Sequence, residues 1–126
     1  MEPVTILLAF GARANQQIIA GHLTIKGYNI LKPKDADEIE VITNNTPPLD
    51  FIMFSADFPG LEGFVPLLRL RQAYPITPIL LLFNVINIEV LKLAQILGCN
   101  EIIKEPFECE EMDSLLNKYL NHIPTH

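Results

Sequence analysis

The stretch Leu49-Asp50-Phe51-Ile52-Met53-Phe54-Ser55 decides the fold. Four successive apolar residues, Phe51 to Phe54, describe a strand covered on both faces, because a half-exposed strand would place a polar residue at every second position. Turn chemistry from Asn44 to Pro48 precedes this run, and a loop rich in Pro and Gly follows it from Ala56 to Gly63. Val4 to Phe10 and Ile79 to Phe83 are runs of the same kind, with Tyr28 to Leu31 and Glu101 to Lys104 as shorter ones. Helical patterns lie between them. Ala14 to Lys26 sets Ile18, Ile19, Ala20 and Leu23 on one side and stops at Gly27; Asp35 to Thr43 turns Ile39 and Ile42 inward. Phe64 to Ala73 tolerates Pro66 because it falls in the first turn. Ile88 to Leu97 closes at Gly98, and Glu108 to Leu120 is the last helix. Five strands alternating with five helices predict a doubly wound parallel α/β sheet in three layers, since parallel strands need helical returns over both faces. In such sheets sites lie outside the carboxyl ends of the strands at the switch point, which directs attention to the segments starting at Gly11 and Ser55.

The chain's 126 residues suit one core, placed at residues 1–120, with 121–126 as a fraying tail. At 49% hydrophobic residues it can offset the entropy of ordering, which excludes a disordered chain. Nine Lys and Arg against 15 Asp and Glu leave a net charge of −6, so neither nucleic acid nor an acidic membrane surface is an expected partner. Pro75, Pro78, Asn84 and Asn87 interrupt the richest apolar region well short of the about 18 residues a spanning helix needs. Cys99 and Cys109 follow no metal or redox spacing, and Met1-Glu2-Pro3 lacks the basic opening of a secretory signal; the expected compartment is the cytoplasm. His22, His122 and His126 have no Cys, Asp or His partner at ligand spacing, so no metal and no cofactor is expected.

The order of elements, Phe58-Pro59-Gly60-Leu61-Glu62-Gly63-Phe64 after the third strand, Gly98-Cys99-Asn100, and Glu105-Pro106-Phe107 after the fifth together resemble bacterial response-regulator receiver domains over roughly residues 4 to 120. The resemblance implies a flavodoxin-like sheet and an aspartyl phosphorylation site. In that family an aspartate ending the third strand takes the phosphoryl group. An acidic pair after the first strand holds Mg²⁺, and a small hydroxyl residue and a lysine end the fourth and fifth strands. Carried onto this chain, the acidic pair falls on Phe10 and Gly11, the acceptor on Ser55, the hydroxyl on Phe83 and the lysine on Glu105. Every position departs from the pattern. Without paired carboxylates there is no set of hard oxygen ligands for Mg²⁺, and Ser55 is a neutral alcohol with no adjacent base. Glu105 reverses the charge meant to meet a phosphoryl group, and Lys104 points to the opposite face of its strand. Phe10 and Phe83 are expected to fill the vacated space.

Rival readings attach to single residues. Asp57 and Glu62 with Glu105 could form a degenerate cation site, but solvated loop acids explain them more simply. Glu105 is expected to be partly exposed, and its bond to Pro106 is cis if the resemblance holds. In the Ile88 to Leu97 helix, Val90, Leu91, Ala94, Leu97 and Gly98 should face the sheet, leaving Glu89, Lys92, Leu93 and Ile96 outside. In receivers this helix, the fifth strand and the last helix form a partner and dimer surface, and the position of the family's switch aromatic falls on Ile102. The resulting expectation is a phosphorylation-independent receiver, not an enzyme, that meets a protein partner or a second copy of itself through Glu89, Lys92, Leu93, Ile96 and Ile102. The alternative is a domain that responds to a ligand or cation in the modified crevice near Ser55.

Overall fold

The computed structural model describes residues 4–10, 13–56, 65–83, 88–105 and 107–120, with all their side chains except those of residues 13–15 and 90. The elements run β1 (Thr5–Ala9), α1 (Arg13–Ile25), β2 (Asn29–Leu31), α2 (Ala36–Asn45), β3 (Phe51–Ser55), α3 (Val65–Ala73), β4 (Ile79–Phe83), α4 (Ile88–Ile96), β5 (Glu101–Lys104) and α5 (Cys109–Leu120). All four strand pairings are parallel, in the order β2-β1-β3-β4-β5. This is the doubly wound, flavodoxin-like sheet expected of the sequence, with its switch point between β1 and β3.

Strand alternation divides the core in two. Leu7 and Ala9 of β1, Ile52 and Phe54 of β3, and Ile79 and Leu81 of β4 pack with Ile39 of α2, Leu67 and Leu70 of α3, and Ala94 of α4. Ile6, Leu8 and Phe10, Phe51 and Met53, and Leu80 and Leu82 pack on the other face against Ile19, Ala20 and Leu23 of α1 and Met112 and Leu116 of α5. Residues Phe51 to Ser55 are all buried, which is why the central strand reads as an unbroken apolar run. Fully burying one such side chain contributes roughly 1.5–3 kcal/mol.

Helix ends follow local chemistry. Asp35 caps α2 by accepting a 2.9 Å hydrogen bond from the Glu38 N–H. Gly27 and Gly98 supply the positive φ (96° and 69°) that closes the chain after α1 and α4. One facing expectation fails: Ile18 is 65% exposed, whereas Ile19 is buried. Ile19, Ala20 and Leu23 form the buried arc of α1, and Ile18, about 100° before Ile19, falls outside it.

Candidate functional site

The tips of four adjacent strands assemble the positions of interest. β1, β3, β4 and β5 are consecutive in the sheet, and the register sets Ser55 beside Leu82 and Phe83 beside Lys104. Phe10 follows β1, Ser55 ends β3, Phe83 ends β4 and Glu105 follows β5, so the fold brings these four residues along one edge. Gly11 lies outside the described residues, as do Asp57, Glu62, Pro106, His122 and His126.

Backbone bonds carry the sheet past the strand ends. The Ala56 N–H donates to the Leu82 carbonyl and the Glu105 N–H to the Phe83 carbonyl, each at 2.7 Å. Strand geometry therefore persists to the tips and sets the side chains by alternation. Phe10 continues the Ile6 and Leu8 series and is buried in the α1–α5 half of the core. Ser55 follows Phe51 and Met53 and is 1% exposed. Of the two rings expected to fill the vacated space, Phe10 is buried and Phe83 is partly exposed.

Glu105 corrects a second expectation, since it is only 6% exposed. Along β5, Glu101 and Ile103 are half-buried while Ile102 and Lys104 are exposed, and the next residue on the inward side is Glu105. The sequence left this position open to solvent because a glutamate is seldom buried; the continued β4–β5 ladder overrides that preference. Lys104 faces outward and cannot stand in for a lysine at the tip.

The chemistry available at this edge is narrow. The described side-chain donors there are one alcohol and one carboxylate, and among the described residues no group of three or more His, Cys, Asp or Glu could hold a metal.

On the α4–β5–α5 side, Glu89 and Lys92 are exposed, Ile96 is 77% exposed and Ile102 36%. Leu93 is the correction: it is half-buried and packs against the α2–α3–α4 half of the core. Its carbonyl accepts the Leu97 N–H as α4 ends, and Ala94 beside it is fully buried, which draws Leu93 to the flank. Exposed Ile88, at the start of α4, was not singled out.

Two polar clusters away from the tips escaped the sequence. Arg71 Nε donates to the Leu97 carbonyl at 2.8 Å, Nη1 to those of Tyr74, Pro75 and Thr77, and Nη2 to Gly98, tying α3 and the start of β4 to the end of α4. Cys99 lies beside it, its thiol pushed up to about 11 by burial against the opposing pull of the Arg71 charge. His22 Nε2 and Lys26 Nζ of the α1 end both meet the Asp113 carboxylate of α5 at 3.0 Å. Burial would raise that carboxyl, but the hydrogen bonds and charges of His22 and Lys26 outweigh it and hold it below the ordinary range.

The strand order and helix placement are those of the receiver fold. A chain from Methanospirillum hungatei JF-1 described as a response regulator receiver domain protein (CheY-like) superposes with a TM-score of 0.86 over 95% of each chain at 17% identity. The non-phosphorylated HemR receiver domain of Leptospira biflexa superposes with a TM-score of 0.80 over 99% of each at 21% identity. In sequence, 87 residues (69% of this chain) are 22% identical to the DNA-binding transcriptional regulator NtrC of Escherichia coli K12, and the match spans only 18% of that regulator. No family model matches the chain. The likeness fixes the architecture as that of CheY-like receivers. No helix among the described residues is long and apolar enough to cross a membrane.

Proposed function

We propose that the chain is a receiver domain of a two-component response regulator that signals without aspartyl phosphorylation, as a binding module and not as an enzyme. One observation carries this reading: at the edge where receivers perform phosphoryl transfer, the acceptor and lysine positions are a buried Ser55 and a buried Glu105. A serine hydroxyl cannot form the acyl phosphate that an aspartate forms, and a carboxylate at the lysine position repels the phosphoryl oxygens that a lysine would attract. With that chemistry removed, the outside of the scaffold is what remains to act. Exposed Ile88, Ile96 and Ile102, interleaved with Glu89 and Lys92, suit a protein partner or a second copy of the chain.

Titration of labelled protein with Mg²⁺ and beryllofluoride, followed through its amide resonances, tests the first half. The expected result is no saturable shift at Ser55, Phe83 or Glu105; saturable shifts there overturn it. Solution mass measurement and partner capture with Ile96→Asp test the second half. Loss of an assembly or partner held by the parent chain is expected, and retention of every contact by the variant counts against this surface.

A further inference from the structure

We propose that α1 is a contact through which two copies of this chain pair, the outer face of the helix crossing the same face of the second copy antiparallel about a twofold axis at Gly21. The surface is separate from that of α4, because α1 packs on the Ile6, Leu8 and Met53 side of the sheet and α4 on the Leu7, Phe54 and Leu81 side.

Gly21 supplies the first argument. Glycine in a helix interior is destabilising relative to alanine, so one that stands there answers to a backbone or packing demand. Gly27 and Gly98 take the positive φ that glycine permits, whereas Gly21 lies inside α1 without one. A Cβ at Gly21 would meet no atom within 4 Å, so no neighbour in the chain requires its absence. A second helix brought against it from outside does, since glycine at a crossing lets two helices close to the short end of their roughly 8–10 Å range.

The surrounding face supplies the second. At about 100° per residue, Ile18, Gly21 and Ile25 share an arc about 60° wide on the side away from buried Ile19, Ala20 and Leu23. Ile18 is 65% and Ile25 88% exposed. Residues 16–25 include no Asp, Glu, Lys or Arg. Exposed Thr24 spends its hydroxyl on the Ala20 carbonyl at 2.7 Å and asks for no outside partner.

Charge and spacing select a second copy as the occupant. Two chains of net charge −6 repel, so a contact between them is favoured where acids are absent. α2, α4 and α5 each carry acids, and α3 carries Arg69 and Arg71. Asp113 of α5, which flanks α1, is already held by His22 and Lys26 at 3.0 Å. The isoleucines lie three residues before and four after Gly21, so an antiparallel copy crossing there sets Ile18 of each chain against Ile25 of the other. One helix face is smaller than the roughly 1,200–2,000 Å² of a stable interface, so the dimer is weak and forms at high concentration.

Sedimentation equilibrium from about 10 µM to about 1 mM tests this on the parent chain, Ile18→Glu, Ile25→Lys and Gly21→Ala, with melting temperatures reporting the fold of each. The parent should be half dimeric near about 100 µM. Ile18→Glu and Ile25→Lys should each weaken association at least about tenfold, and an equimolar mixture of the two should restore it. In the mixed pair one crossing contact is Glu to Lys and the other Ile to Ile, a rescue that a parallel pairing does not give. Gly21→Ala should melt higher yet associate about fivefold more weakly. Ile96→Asp should leave this association intact whatever it does to other partners, which separates a failure here from a failure of the α4 surface. A parent chain that stays monomeric at about 1 mM overturns the proposal and leaves the face to a different protein. So does a dimer that Ile96→Asp abolishes, one that Gly21→Ala or the isoleucine variants leave unchanged, or a mixture that stays monomeric.

Discussion

Replacing Arg71 by Ala removes a guanidinium that five backbone carbonyls share, and the structure sets the size of the loss. The acceptors on Leu97, Tyr74 and Thr77 are partly buried, while those on Pro75 and Gly98 are exposed and can take water instead. Each partly buried carbonyl left without its donor costs about 1 kcal/mol, so Arg71→Ala is expected to destabilise the fold by about 3 kcal/mol. Against a total stability of roughly 5–15 kcal/mol this is a large fraction. Lys in the same place keeps the charge but has one compact ammonium where the guanidinium forks to three segments, so Arg71→Lys should recover only about 1 kcal/mol. Urea unfolding measures both: the midpoint should fall with an unchanged slope, and amide exchange in the last turn of α4 should accelerate. An Ala variant within about 0.5 kcal/mol of the parent, or a Lys variant as stable as the parent, refutes the account.

Three further outcomes follow from the same geometry. The Asp113 carboxyl titrates below its ordinary value of 3.8 in the folded chain, so its stabilisation is full above that value and is lost as pH falls through the lower folded one. Asp113→Asn should flatten the stability–pH curve at the acid end; an unchanged acid limb would count against the His22–Lys26–Asp113 cluster. Cys99, with its thiol raised to about 11, should react with iodoacetamide at pH 8 at least about tenfold more slowly in the native chain than in urea, by mass mapping; equal rates would show the site is open. Ser55→Asp should not gain beryllofluoride binding and should lose about 2 kcal/mol or more, because it buries a second carboxylate at the edge that holds Glu105; saturable thermal stabilisation by Mg²⁺ and beryllofluoride would contradict this.

Most of the architecture was legible because burial on both faces leaves a plain trace. Phe51 to Phe54 and Ile79 to Phe83 have no polar interruption, and both are strands as read, with β3 extending one residue to Ser55. Facing within helices was less so. Ile18 beside Ile19, and Leu93 beside Ala94, are pairs whose burial depends on a rotation of the helix that composition does not state. Glu105 was misjudged because residue type speaks for exposure while the ladder to Phe83 dictates otherwise. Arg71 left no trace because its acceptors are carbonyls, which every residue has; only the approach of α3 to the end of α4 selects those five. His22 and Asp113 are 91 residues apart, beyond any local spacing rule.

The burial of Ser55 and Glu105 also bears on how such a chain can change over time. Any single substitution that restores one charged group of a phosphorylation site puts that group at an apolar, crowded strand tip before its counter-ions exist. A set of charges at this edge is therefore stable only when several positions change together, and tolerated variation is channelled to the periphery of the domain.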